Sequence, residues 1–387
     1  MVSLCETLGV SSMVGDTSRP SDALGPIAVR LHRVQYRLES PHSAAHGVEA
    51  LRDLIIVEVQ LEDSTIGWGE CSTLSAATYT SEYTAGAWLV LRDYLVPALL
   101  SGRDAKVVGH PMAVAGLTSA VDDANLRRLG VSMRDALAEL GGFGTPRSAV
   151  ERCAVVGRRD RVDDLVGEVA EKLEAKVSAI KLKIGPTAED LAAVGAVRAT
   201  WPDLSVAVDF NGTADADAIR SVARHNLTYV EQPARSRDMI GSAQFAKMLG
   251  CPVALDESIA GLDDLRVGEE LGAGSVLNVK PSRCGGLAPS VELVGAASSL
   301  GWKCFVGGMV ESGIGRSGAL ALAAQELMEL PTDLGPSLDY VDVDLTVPIV
   351  TDAYGRVVIP DGPGIGVEPF SERLAERSVD SIELTRQ

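Results

Sequence analysis

Along residues 149–307 short apolar, β-branched runs alternate with longer stretches of helical periodicity. The runs are CAVVG, AIKLKIG, LSVAVDFNG, LTYVEQP, CPVALDES, SVLNVKP and WKCFVGG, separated by segments such as RVDDLVGEVAEKLEAKV and AEDLAAVGAVRATW. Continuous apolar strands alternating with helices predict a parallel sheet covered on both faces. About seven such units in roughly 190 residues predict a modified (β/α) barrel of the TIM type rather than an open dinucleotide-binding sheet. No GxGxxG follows a strand, which agrees.

Residues 26–144 follow another pattern. Strand-like runs come first (IAVRLHRVQYRL, LRDLIIVEVQLED, GWGEC), then helical periodicity in TSEYTAGAWLVLRDYLVPALLSG and HPMAVAGLTSAVDDANLRRLG, the first with Thr80 or Ser81 as N-cap. Strands followed by helices predict an α+β capping domain, and GGFGTPRS at 141–148 has the composition of a junction. The β-rich tail is expected to return to the cap. The expected organisation is therefore a flexible extension at 1–25, the cap at 26–144, the barrel at 145–337, and a segment at 338–387 that packs back on the cap.

Composition narrows the classes. The chain has 387 residues, 46% of them hydrophobic, enough for a large core. A net charge of −18 argues against a nucleic-acid binder but allows a small anionic substrate where cations gather locally. Six scattered cysteines without a CxxC pair read as reduced thiols of a cytoplasmic protein. The N-terminus has no signal-peptide pattern and no run reaches the ~18 apolar residues of a membrane span. A soluble protein without a membrane partner is expected.

The strand ends carry the chemistry. Lys183, Asp209, Glu231, Asp256 and Lys280 end successive predicted strands at separations of 26, 22, 25 and 24 residues. That is one β/α unit each time, so all five occupy equivalent positions and converge on the mouth where barrel active sites lie. Asp209, Glu231 and Asp256 are hard oxygen ligands suited to Mg2+ or Mn2+, and such a cluster repels itself unless a cation neutralises it. None of the five histidines ends a barrel strand, and neither HxH nor HExxH occurs, which argues against a zinc hydrolase.

AIKLKIG places Lys181 and Lys183 on one face of a strand. An edge strand guarded by lysines is the bland reading. Alongside the carboxylates, the pair reads instead as part of the mouth, with Lys280 three strands further round. Neighbouring cations and a divalent ion depress a lysine from its reference near ~10.4, which would let it act as a general base. With a metal stabilising negative charge on a substrate carboxylate, such a site abstracts the proton α to that carboxylate through an enediolate.

Over about residues 26–370 the chain resembles the enolase superfamily, in its muconate-lactonizing-enzyme-like subgroup; a lysine or histidine base with magnesium is a known combination there. The resemblance rests on KLK at 181–183, VDFN ending at 211, VEQP, LDES and NVKPSRCGG. It implies Lys183 as base, Lys181 assisting, Lys280 opposing, Mg2+ or Mn2+ on Asp209, Glu231 and Asp256, and Asn211 close by. GGMVESGIGR at 307–316, with GWGEC and PGIGVE, is most similar to o-succinylbenzoate synthases and N-acylamino acid racemases, and adds Gly308, Met309 and Glu311 as substrate-binding residues. Residues 39–50 (ESPHSAAHGVEA) are expected to form a lid over the substrate. Phe210, where a small residue is usual, and SGALAL after Arg316, where relatives often carry His-Asn, depart from the pattern.

The resemblance implies o-succinylbenzoate synthase chemistry, the dehydration of 2-succinyl-6-hydroxy-2,4-cyclohexadiene-1-carboxylate in menaquinone biosynthesis. The alternative is racemisation of N-acylamino acids or another cycloisomerase or racemase reaction of the subgroup. A non-catalytic binding or assembly protein is the remote alternative, and intact lysines and carboxylates argue against it. The implied partners are a small carboxylate substrate and further copies of the chain in a homo-oligomer.

Overall fold

The computed structural model describes residues 24–44, 47–105 and 107–386. Three strands open the chain: β1 (Pro26–Ala44), β2 (Gly47–Leu61) and β3 (Ile66–Cys71). Seven parallel strands follow, each preceding a helix or turn: β4 (Cys153–Val156), β5 (Ala179–Lys183), β6 (Val206–Asp209), β7 (Val230–Glu231), β8 (Val253–Leu255), β9 (Val276–Val279) and β10 (Lys303–Val306). They lie side by side in chain order, and β6 to β9 are buried along their whole length. Uninterrupted apolar strands have this outcome because helices cover the outside and side chains fill the inside.

The eighth stave has no strand signature. Residues 328–333 run between β10 and β4, with parallel bridges from Cys304 to Met328 and from Arg152 to Thr332. Leu330 N donates to Cys304 O at 3.3 Å and Cys153 N to Thr332 O at 2.8 Å. Pro331 within the segment removes a ladder donor and leaves isolated bridges in place of a continuous strand.

The cap is an antiparallel sheet in which a final strand, β11 (Ser378–Thr385), lies beside β1, then β2 and β3. The tail therefore returns: Ala28 pairs with Thr385 and Arg33 with Asp380. GWGEC in β3 divides its faces between two neighbours. A Cβ on Gly67 would stand 2.2 Å from Ala124 N and one on Gly69 2.1 Å from Gly116 O, so only glycine lets helix Pro111–Leu129 approach this closely. On the other face, Trp68 packs on the barrel core and Glu70 accepts hydrogen bonds from Ser312 and Gly315, at the start of helix Gly313–Ala323. PGIGVE docks on that first helix, where Ile365 N donates to the buried Asp123 at 2.7 Å.

Two expectations need correction. The helix expected to be capped by Thr80 or Ser81 begins at Thr84, with Tyr83 at its N-cap and no side-chain cap. Thr84 instead donates its hydroxyl to Asp53 O at 2.7 Å. Downstream, the helix passes through a π turn at Leu91–Leu95, just before Pro97, whose missing N–H cannot serve a regular ladder. The connection across 39–50 is no long loop: β1 and β2 pair as far as Arg37 and Leu51 and, after a register shift, again from His42 and Glu49 to Ala44 and Gly47. Residues 45–46, the side chains of 39–50, and residues 1–23 of the expected extension lie outside the described residues. Among the described residues, no helix is long and apolar enough to cross a membrane, and Cys71, Cys153, Cys251, Cys284 and Cys304 are free thiols.

Candidate active site

All ten residues singled out from the sequence line one cleft at the C-terminal ends of the barrel strands: Lys181, Lys183, Asp209, Asn211, Glu231, Asp256, Lys280, Gly308, Met309 and Glu311. The cleft has a cavity volume of about 230 Å³ and opens to solvent. Register explains the convergence. Lys183 sits beside Asp209 on β5 and β6, and Asp209 beside Glu231 on β6 and β7. Asp256 directly follows β8 and Lys280 directly follows β9. Counting staves corrects one expectation: Lys280 stands four strands from Lys183, with three between. In an eight-stave barrel that is the opposite side of the mouth.

Each carboxylate holds a cation. Lys183 Nζ lies 3.1 Å from Asp209 Oδ2 and 3.0 Å from Asn211 Oδ1. Lys181 is buried between Glu231, at 2.6 Å, and Asp333, at 2.5 Å. Lys280 Nζ donates to Asp256 Oδ2 at 2.9 Å, and Arg283 engages the other oxygen of that carboxylate. Burial works against charge on Lys181, but the adjoining Asp333 and Glu231 carboxylates outweigh it and hold the ammonium well above the ordinary lysine value. Lys280 is raised likewise, burial being overcome by Asp256 and then Tyr79. A carboxylate touching each directly outweighs the neighbouring cations at these two lysines.

The carboxylates divide. Burial pushes Glu231 up to about 8, with Lys181 offsetting it in part. Burial would raise Asp256 too, yet Arg283 and Lys280 hold it well below the usual range. Burial and then the Asp256 charge push Glu257 to about 7, and Glu257 accepts from Asn211 Nδ2 at 3.2 Å. As the side chains stand, no three His, Cys, Asp or Glu among the described residues converge closely enough to hold a metal ion, each carboxylate being turned to its own cation. The donor set still fits a hard divalent cation. Three carboxylates end neighbouring strands, and the neighbouring charges of Asp209 and Asp256 add to the upward push on Glu231.

Several side chains of the site escaped the sequence reading. Asp333 ends the eighth stave and adds a sixth charged strand end, β4 and β10 ending at Val156 and Val306. Tyr79 comes from a cap loop: its hydroxyl accepts from Lys280 at 3.1 Å and Arg283 at 2.6 Å, and its ring lies 4.8 Å from the Lys280 ammonium. Gln232, next to Glu231, accepts from Asp256 N at 3.0 Å and so ties two strand ends together. Asn278 donates to Glu231 Oε1 at 2.7 Å, and its Oδ1 would lie 2.2 Å from a Cβ on Gly307, which accounts for glycine there. Arg52 of the cap is fully buried and donates to Met309 O at 3.0 Å and Val310 O at 3.1 Å. It thereby fixes the loop where Val310 adopts φ +54°, costly for a β-branched residue. Gln232 in VEQP and Asn278 in NVKPSRCGG lie inside motifs; Asp333, Tyr79 and Arg52 had no local signal.

The two departures lie away from the cleft. Phe210 is fully buried in the layer between barrel and helices, and residues 317–322 form buried helix that does not line the cleft.

Residues 164–373 match the family described as enolase C-terminal domain-like. The chain is 35% identical over 362 residues to an N-succinylamino acid racemase of Amycolatopsis sp, covering 90% of this chain and 96% of that protein. It is 32% identical over 362 residues to an o-succinylbenzoate synthase of Geobacillus stearothermophilus, covering 90% and 94%. A solved structure described as a probable mandelate racemase from Alicyclobacillus acidocaldarius matches with a TM-score of 0.84 at 33% identity, covering 94% of this chain and all of that one. The matched family model and relatives spanning nearly the whole chain show that it belongs to the enolase superfamily.

Proposed function

We propose that the protein abstracts the proton α to a substrate carboxylate, and that its reaction is the dehydration of 2-succinyl-6-hydroxy-2,4-cyclohexadiene-1-carboxylate to o-succinylbenzoate. The carrying observation is the pair Lys183 and Lys280 on opposite staves, with three carboxylates on the strands from β6 to β8 between them. No histidine lines the cleft among the described residues, so lysine is the base available there. Asp209, Glu231 and Asp256 would hold Mg2+ or Mn2+, which supplies Lewis-acid stabilisation of the substrate carboxylate.

Lys183, arriving as the free amine, takes the α-proton on its Nζ. The electron pair of the broken C–H bond passes into the carboxylate as an enediolate. It returns to form the new C=C bond as the β-hydroxyl leaves with its own electron pair. The Lys183 ammonium gives its proton to the departing hydroxide, releasing water and restoring the amine. Lys280 stays charged beside Asp256 and stabilises the enediolate from the far face. Asp256 and Tyr79 accept from that ammonium and are themselves held by Arg283, and Asp333 holds Lys181.

A second reading, racemisation of N-succinylamino acids, is favoured by the opposed placement of the lysines and by the Amycolatopsis relative. In it each lysine removes the proton from one face and the other returns one to the opposite face. The deciding experiment assays purified protein for both reactions with Mg2+. Synthase turnover exceeding racemisation supports the first reading, the reverse order the second, and neither activity refutes both.

A further inference from the structure

Tyr79 stands in an irregular stretch, residues 72–83, between β3 and the helix that starts at Thr84. Its crest at 75–78 is exposed. Among the described residues, the backbone of 75–83 hydrogen-bonds only within the stretch and to the helix that follows it. Two of its side chains reach inward. Tyr79 accepts from Lys280 and Arg283 and donates to Asp256 at 3.3 Å. The other is Glu82.

Glu82 is 3% exposed and does not line the cleft. Its Oε1 accepts from Met112 N at 2.8 Å and its Oε2 from Ala113 N at 3.1 Å. These are first-turn N–H groups of helix Pro111–Leu129, which no carbonyl of that helix can serve. The residue at its N-cap, His110, makes no side-chain cap, and the first turn holds no acidic residue. Glu82 supplies from outside the helix what the helix lacks locally.

The same helix backs the loop that follows Lys280. A Cβ on Gly286 would lie 3.0 Å from Thr118 Oγ1 and 3.8 Å from Ala115 Cα, and one on Gly285 3.9 Å from Pro111 Cβ. That loop is a tight turn, in which Cys284 N donates to Lys280 O at 3.0 Å and Gly286 N to Pro281 O at 2.8 Å. It carries Arg283, which engages both Tyr79 and Asp256. The contacts close a circuit: Glu82 ties the Tyr79 stretch to the helix, the helix backs the turn, and the turn presents Lys280 and Arg283 to Tyr79.

Capping alone does not call for a residue from this stretch, since Ser, Thr, Asp or Asn at position 110 would provide it. We propose that Glu82 is a positioning residue, which fixes Tyr79 against Lys280 and so keeps that ammonium aimed at the far face of the substrate. This rests on the function proposed above and adds to it a residue remote from the reacting atoms.

Glu82→Gln keeps the size of the side chain but turns an NH2 group toward one of the two N–H donors. Tyr79→Phe removes the hydroxyl, and the double variant completes a cycle. Each is assayed with Mg2+ on whichever of the two proposed substrates the wild-type protein turns over. Glu82→Gln should lower kcat on the order of tenfold and leave KM within about twofold, because the displaced charge acts on the enediolate. In the Tyr79→Phe background the same change should lower kcat by less than about twofold. Equal factors in both backgrounds, or an unchanged kcat, overturn the proposal. Hydrogen exchange read by mass spectrometry follows the circuit without the reaction: amides of 280–286 should exchange about tenfold faster in Glu82→Gln than in the wild type. Unchanged protection there overturns the positioning role whatever the kinetics. If the wild type turns over neither substrate, the proposed reaction falls, and the exchange of 280–286 decides the role of Glu82 by itself. Glu82→Asp, one methylene shorter and still a carboxylate, replaces the amide variant in every measurement if that variant does not fold.

Discussion

Lys183 and Lys280 face one another across the mouth of the barrel, four staves apart, and each is held by a carboxylate of its own: Asp209 at 3.1 Å and Asp256 at 2.9 Å. The two positions are alike in geometry and unlike in surroundings. Lys183 has an amide neighbour in Asn211, whereas Lys280 donates to Tyr79 and to Asp256, which Arg283 also binds. Lys183→Ala should therefore abolish synthase turnover. Lys280→Arg keeps the charge but offers no usable base, because guanidinium stays protonated. It should retain part of the synthase activity and lose racemisation. Parallel assays of the two reactions read the ratio, and equal loss of both would show that Lys280 acts in the same way in each.

Metal dependence follows from the carboxylates. Chelation after prolonged dialysis should abolish activity, and Mg2+ or Mn2+ should restore it. Asp256→Asn should weaken Mg2+ binding by on the order of 100-fold in calorimetry, with a circular dichroism spectrum like that of the wild type. Full activity in excess chelator would refute the metal assignment.

The hairpin that joins β1 to β2 gives a third test. Leu38, which precedes it on β1, lines the cleft. Deleting residues 43–47 should raise KM or lower kcat while Tm shifts by no more than a few degrees. Unchanged kinetics would make the hairpin ordinary surface.

Glu70 links pH to the seam between cap and barrel. It is 5% exposed, and burial pushes its carboxyl up to about 7 despite hydrogen bonds from Ser312 and Ser72. A folded-state value above the unfolded one near 4.5 means that the folded protein holds the proton more tightly. The stability this gives is complete below about pH 4.5 and is lost as pH rises through about 7. Glu70→Gln keeps one oxygen for Ser312 and Gly315 and removes the titration. Urea unfolding at pH 5 and pH 8 should show a wild-type stability drop that shrinks by about 2–3 kcal/mol in the variant. An unchanged drop would assign the pH dependence to other groups.

What could be read beforehand was local and periodic. Seven strands announced themselves as β-branched runs, and a spacing of one β/α unit aligned five charged ends before any contact was known. The eighth stave was hidden because ELPTD lacks an apolar run and contains Pro331, so Asp333 was hidden with it. Tyr79 and Arg52 reach the site from the cap across sequence separations of about 200 residues or more, and a contact of that range leaves no periodic trace. Phe210 looked like an intrusion only because its face of the strand was unknown. The pattern beyond Asp209 turns it outward, into the layer beneath the helices.

The central claim is that Lys183 removes the α-proton from one face while Lys280, on the opposite face, stays charged and stabilises the enediolate. Its most direct test is solvent deuterium exchange at that carbon, followed by NMR for the separate enantiomers of N-succinylphenylalanine with Mg2+ present, in Lys183→Ala and Lys280→Ala proteins. The account predicts that Lys280→Ala exchanges the α-proton of one enantiomer only, that Lys183→Ala exchanges neither, and that neither variant racemises. Exchange of either enantiomer by Lys183→Ala at the wild-type rate, or of neither by the wild-type protein, would contradict it.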